Sequence, residues 1–241
     1  MDWAADAEWS YAPGGTGMPM TVQLAEGAAS DAPGGGDFEL GWGVEADADA
    51  DGVLDAALPI TRVLGDTTEV LWYVWLGVEH AAEGEPTAIQ VPYPIARDVA
   101  CGDRVRSVEA TGTGFRIDEA LRMPWTDAQL ACEDEGSGVQ LREVEIVEVE
   151  GARYPVQTSP VAAWGGVCPR APELDGFEET GFELRVGPPQ TAALAVDPAR
   201  TFWVFALDPV PLLADGDLAF LGFNQDIAGD AAVKQHCAFY D

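Results

Sequence analysis

Positive charge is what this 241-residue chain has least of. One lysine, Lys234, and eleven arginines face 42 aspartates and glutamates, for a net charge of −30. Binding a phosphate backbone depends on Lys and Arg displacing counterions, so this balance excludes most nucleic-acid partners, and the same sign excludes attraction to anionic membranes. Histidine occurs twice, at His80 and His236. A Ser/His/Asp or Cys/His arrangement would have to use one of them, and neither a G-x-S-x-G elbow nor an S-x-x-K motif is present. His236 adjoins Cys237 and reads as structural; His80 reads as a satisfied strand-end residue more than a base. Zinc would need most of the His and Cys inventory at unrelated spacings, without any C-x-x-C pair. No run of 18 apolar residues occurs, so no helix is expected to insert in a bilayer; the longest apolar stretch, residues 70–78, is strand-length. The opening Met1-Asp2-Trp3-Ala4 has neither a positive n-region nor an apolar h-region. That fits either a cytoplasmic protein or a mature N-terminus with an added methionine.

What is present begins with a core. Apolar residues make up 47% of the chain, enough for one large all-β domain. The excess of carboxylates keeps a surface hydrated in brine, which points to a salt-adapted protein. Four isolated cysteines, Cys101, Cys132, Cys168 and Cys237, read as two disulfides more naturally than as buried thiols. Three connectivities are open, and the pairing favoured is Cys101 with Cys132 and Cys168 with Cys237. Disulfides place the chain outside the cytoplasm: secreted, on the cell surface or periplasmic.

Residues 1–36 are rich in Gly, Pro, Ala and Asp and read as a flexible N-terminal arm, with a first strand at 20–24. Residues 37–241 read as a single domain. In it Phe38, Leu40, Trp42 and Val44 alternate onto one face, and the run 70–78 is apolar on both faces, as expected of a central, doubly buried strand. Residues 60–64, 88–93, 105–108 and 114–117 add shorter strands, while 118–121 and 125–132 offer helical turns. The longest strand, 139–149, interleaves Glu143, Glu145 and Glu148 with apolar residues, and the adjacent Ile146 and Val147 predict a bulge. Strands recur at 181–186, 201–207 and 218–223, separated by Pro- and Gly-containing turns. This spacing predicts an all-β fold, an antiparallel β-sandwich of jelly-roll or Ig-like type with long loops and little helix.

The most specific local pattern is Asp47-Ala48-Asp49-Ala50-Asp51-Gly52-Val53-Leu54-Asp55. It sets carboxylates at positions 1, 3, 5 and 9 of a calcium loop, Gly at 6 and the Val53 carbonyl at 7. A hard cation gathers oxygens from a loop folding around it, and the glycine permits the reversal. Over these nine residues the stretch resembles the D-x-D-x-D-G loops of extracellular calcium-binding modules such as dockerins and thrombospondin-type repeats. It departs from the EF-hand at position 12, where Leu58 replaces a bidentate Glu, so an outside ligand such as Glu45 or Asp66 is needed. Affinity should then fall to the roughly 10⁻⁴ to 10⁻³ M range of such modules. An acidic low-complexity loop gives the same Ala/Asp alternation by composition alone.

These features predict a secreted or surface-exposed binding or assembly module, stabilised by Ca²⁺ through Asp47, Asp49, Asp51, Val53 and Asp55, with a protein or glycan partner and an open oligomeric state. Two other classes stay open. One is an extracellular glycan-acting hydrolase using a carboxylate pair; the other is a jelly-roll shell or capsid subunit. Of the eight tryptophans, Trp3, Trp9, Trp42, Trp125 and Trp164 fall in segments where an exposed ring would stack on a sugar, whereas Trp72, Trp75 and Trp203 belong to core strands.

Overall fold

The structure, a computed structural model, describes residues 2–15, 19–79, 88–123, 127–159, 185–186, 190–193, 201–204, 207–208, 217–227 and 232–240. These residues form an all-β, sandwich-like fold. The strands are β1 Glu8–Tyr11, β2 Met20–Gln23, β3 Ala28–Ala29, β4 Asp37–Leu40, β5 Val44–Ala46, β6 Asp55–Leu64 and β7 Thr67–Gly77. Next come β8 Ala88–Gln90, β9 Ala96–Val99, β10 Arg104–Ala110, β11 Phe115–Leu121, β12 Gly138–Val149 and β13 Ala152–Ser159. The last are β14 Arg185–Val186, β15 Gln190–Ala193, β16 Thr201–Val204, β17 Leu207–Asp208, β18 Ala219–Ile227 and β19 Ala232–Tyr240. Helix among the described residues is limited to two 3₁₀ turns, Asp2–Asp6 and Pro13–Gly15.

One sheet runs β3-β4-β6-β7-β8, with β5 also on β6 and β9 also on β7; a second runs β10-β11-β12-β13-β19-β18. Pairing is antiparallel except where β19 joins β13 in parallel at Val156 and Phe239. Strand β7 explains the layering. Its Leu71, Tyr73 and Trp75 enter one apolar cluster, and its Val74 and Leu76 enter another on the opposite face. The second cluster joins them to Phe115, Ile117, Val144 and Ile146 of β11 and β12, which makes it the layer between the two large sheets. Period-two alternation with both faces apolar requires burial on both sides, as expected of residues 70–78.

The outer face of the first sheet is covered by the N-terminal segment. There the structure departs from the reading of residues 1–36 as a loose arm. Trp9 and Tyr11 of β1 and Val22 of β2 are fully buried against Leu58, Ile60 and Tyr73, and Trp9 meets Trp75 edge-on at 4.9 Å. Burying one such ring stabilises by about 2 to 3 kcal/mol. Polar ties fix the register: Tyr11 Oη donates to Glu69 Oε2 at 2.9 Å, Gly14 N to the same oxygen at 2.9 Å, and Ala12 N to Tyr73 Oη at 3.0 Å.

Pro59, inside β6, accounts for another difference. In an antiparallel strand a residue's N–H and C=O face the same neighbour. The Pro59 carbonyl accepts from Gly41 N at 2.9 Å, so its missing donor faces the same gap. The neighbouring strand therefore breaks into β4 and β5, and Gly41-Trp42-Gly43 crosses the gap outside the ladder. A Cβ on Gly41 would lie 2.8 Å from Pro59 Cγ, and one on Gly43 2.7 Å from the Ala57 carbonyl. Only glycines fit so close to β6, and Trp42 is turned out to 94% exposure instead of sharing the face of Phe38.

Two further expectations change. No bulge lies at Ile146 and Val147, which pair in continuous register with Pro155 and Tyr154; the irregularity falls at Glu143/Val144 against β13. Residues 118–121 are strand, part of β11. Their helix-favouring Asp118-Glu119-Ala120-Leu121 is overridden by tertiary pairing, because buried Glu119 accepts from Arg142 Nε and Nη2 at 2.8 Å each. The disulfide Cys101–Cys132 forms as expected. Cys168 lies outside the described residues, and with it the expected pairing to Cys237.

Candidate metal centre

The loop 47–54 joins β5 to β6, whose register sets Ala46 opposite Asp55. Asp47 leaves one strand as Asp55 opens the next, so their side chains meet at the loop base. The Ala/Asp alternation has a packing cause: Ala46 and Ala48 are small enough to enter the layer between the sheets, where both are buried. The Ala48 carbonyl accepts from Ile146 N at 3.1 Å, which docks the loop on β12 of the second sheet. Ala50 and Gly52 take positive φ, 59° and 84°, to close the turn; glycine does so without strain.

Asp47, Asp49 and Asp55 each bring one carboxylate oxygen into a group lying within 4.8 Å of one another. Asp55, 2% exposed, is held on both oxygens: Oδ2 accepts from Ala48 N at 2.7 Å and Oδ1 from Gly77 N at 2.8 Å. Asp47 Oδ2 accepts from Gly52 N at 3.1 Å, and Asp49 Oδ2 from Arg153 Nη1 at 2.8 Å. Asp47 Oδ1 and Asp49 Oδ1 are buried with no hydrogen-bond partner among the described residues. Buried oxygens are ordinarily paired, and leaving one unpaired costs about 1 to 3 kcal/mol.

Electrostatics follow from this crowding. Burial, then the nearby Asp51 carboxylate, push the Asp49 carboxyl above its ordinary value, and Arg153 and the Asp51 backbone N–H oppose the rise. Asp55 is also raised, chiefly by burial, against the lowering effect of its two backbone donors. Three carboxylates with one guanidinium leave the centre short of positive charge. Hard oxygen donors of this kind suit a cation such as Ca²⁺ or Mg²⁺, with carbonyls and water completing the shell.

Of the five residues expected as ligands, the structure brings together Asp47, Asp49 and Asp55. Asp51 is exposed and spends Oδ1 on Val53 N at 2.7 Å, within its own turn. Val53 is placed there through that N–H. Glu45 is exposed on β5, Asp66 is exposed in the turn at the far end of β6, and Leu58 at position 12 is buried in the apolar cluster. Arg153, which no local spacing reveals, is the residue the sequence reading missed.

Elsewhere, three buried carboxylates have structural partners. Glu69 holds Tyr11, Gly14 and Arg97; Glu119 holds Arg142; Asp127 Oδ2 accepts from Met123 N and Ser137 N. His80 lies outside the described residues, and His236 sits on β19 opposite Phe223. Trp125 and Trp164 also lie outside them, and Trp42 is exposed. No helix of the described residues is long and apolar enough to cross a membrane. No protein-family model, curated protein or solved structure matches the chain.

Proposed function

We propose that this chain is an extracytoplasmic binding or assembly module whose β5–β6 loop is stabilised by a calcium ion held between Asp47, Asp49 and Asp55. The observation that carries this reading is the pair of buried, unpartnered oxygens, Asp47 Oδ1 and Asp49 Oδ1, in a cluster of three carboxylates. A cation would satisfy both oxygens and offset the burial and the Asp51 charge that together raise Asp49. The Cys101–Cys132 disulfide supports a location outside the reducing cytoplasm. Trp42, exposed on a short glycine-flanked crossing, is the surface group best suited to stack on a partner's sugar ring.

Thermal unfolding in EDTA and in calcium tests the stabilising role. With a dissociation constant of about 10⁻⁴ to 10⁻³ M, calcium at about 10 mM should add about 1.4 to 2.7 kcal/mol. For a chain this long that is a rise in Tm of about 3 to 10 °C. Asp49→Asn should abolish the rise. An identical Tm in both buffers counts against the reading.

A further inference from the structure

Asp49 is shared between two demands. Its side chain is 11% exposed, with Oδ1 buried and unpartnered while Oδ2 accepts from Arg153 Nη1 at 2.8 Å. Arg153 stands on β13 directly opposite Glu148 of β12, and its Nε donates to Glu148 Oε2 at 2.7 Å. One guanidinium therefore spans a loop carboxylate of the first sheet and a strand carboxylate of the second. Resting on the cation-site reading above, we propose that Arg153 is a tethered counter-cation of the loop, which holds Asp49 when no ion is bound, competes with calcium for it, and is left to Glu148 when the ion enters.

Arginine cannot escape this competition by losing its proton, because it stays charged at any working pH. It can only weaken its hold or move, and Glu148, more exposed than Asp49, is already within reach. The ion-free loop is then kept in place by Arg153 together with the Ala48–Ile146 hydrogen bond, and the loaded loop by the ion. Weak calcium affinity follows from a built-in competitor as well as from Leu58 at position 12, so the site would respond to millimolar changes in a calcium-rich surrounding.

Calorimetric titration of the full chain with calcium chloride, paired with thermal melts in EDTA and in saturating calcium, tests this. Removing one positive charge a few ångströms from the ion should tighten binding about tenfold in Arg153→Gln. The same change should lower Tm in EDTA and leave it unaltered in saturating calcium. Arg153→Lys, which keeps the charge, should bind as the native protein does, and Glu148→Gln, a mild surface change, should bind more weakly. Equal or weaker binding by Arg153→Gln overturns the competitor role while native binding leaves the cation site standing. Absence of binding by every form overturns both.

Discussion

Glu69→Ala should unfold the N-terminal segment from the sheet it covers. The Glu69 side chain accepts three hydrogen bonds: from the Tyr11 hydroxyl and Gly14 N on Oε2, each 2.9 Å, and from Arg97 Nε on Oε1 at 2.7 Å. Tyr11 is fully buried, and burial first, then the Glu69 charge, holds its hydroxyl far above the ordinary tyrosine range, so it remains a donor at any working pH. Truncation strands that hydroxyl in an apolar layer, at about 1 to 3 kcal/mol, and removes the acceptor of the partly buried Gly14 N, at about 1 kcal/mol more. Arg97 is substantially exposed and recovers water, so it adds little. The total is about 2 to 4 kcal/mol. Tyr11→Phe keeps the ring and deletes one charge-assisted hydrogen bond, for about 1.5 to 3 kcal/mol at most, and leaves Gly14 paired. Urea denaturation measures both. A Glu69→Ala loss under about 0.5 kcal/mol, the range of ordinary surface changes, would refute the reasoning that this segment belongs to the folded core.

Other outcomes follow from the same contacts. Glu119→Gln leaves Arg142 charged and buried, so it should cost about 3 to 5 kcal/mol in urea denaturation, with much of the loss recovered when both are replaced by Leu and Met. Cys101→Ser with Cys132→Ser opens a loop of sequence separation 31 and should lower stability in urea denaturation by about 3 to 4 kcal/mol relative to the oxidised native protein. In EDTA, Asp49 and Asp55 should make the protein less stable as pH rises. Their folded-state values lie above the ordinary 3.8, so the folded chain binds more protons between the two values and their contribution is lost as pH climbs through that window. Calcium should recover more of that loss at neutral pH than at acidic pH, because the ion and the protons compete for the same oxygens. Melts across pH with and without calcium check both directions.

The parts legible in the sequence were those whose local pattern and tertiary role agree. Residues 70–78 are apolar on both faces because β7 is covered on both faces, and Glu143 and Glu145 lie outward from β12 where Arg116 and Thr113 meet them. Strand β1 was hidden because Glu8-Trp9-Ser10-Tyr11 is four residues among glycine and proline, and only contact with β7 reveals its burial. Residues 118–121 look helical until Arg142 supplies a buried partner for Glu119. Trp42 seemed to continue the alternation of Phe38 and Leu40, but Pro59, seventeen positions later, removes the donor that a continuous strand would need. At the β5–β6 loop the spacing marked the segment in which Asp47, Asp49 and Asp55 come together. It does not show that Asp51 stands apart from that group, because an EF-hand spacing presumes an EF-hand wrap, and here that carboxylate accepts within its own turn.

The most direct test of a cation at the β5–β6 loop is a crystal structure grown in calcium, with anomalous scattering recorded. A calcium peak bonded to Asp47 Oδ1 and Asp49 Oδ1 at about 2.3 to 2.6 Å, with an Asp55 oxygen in the same shell, is the expected result. Those two oxygens hydrogen-bonded to water, with no anomalous peak between them at calcium well above 10⁻³ M, roughly the weakest affinity of such modules, would contradict it.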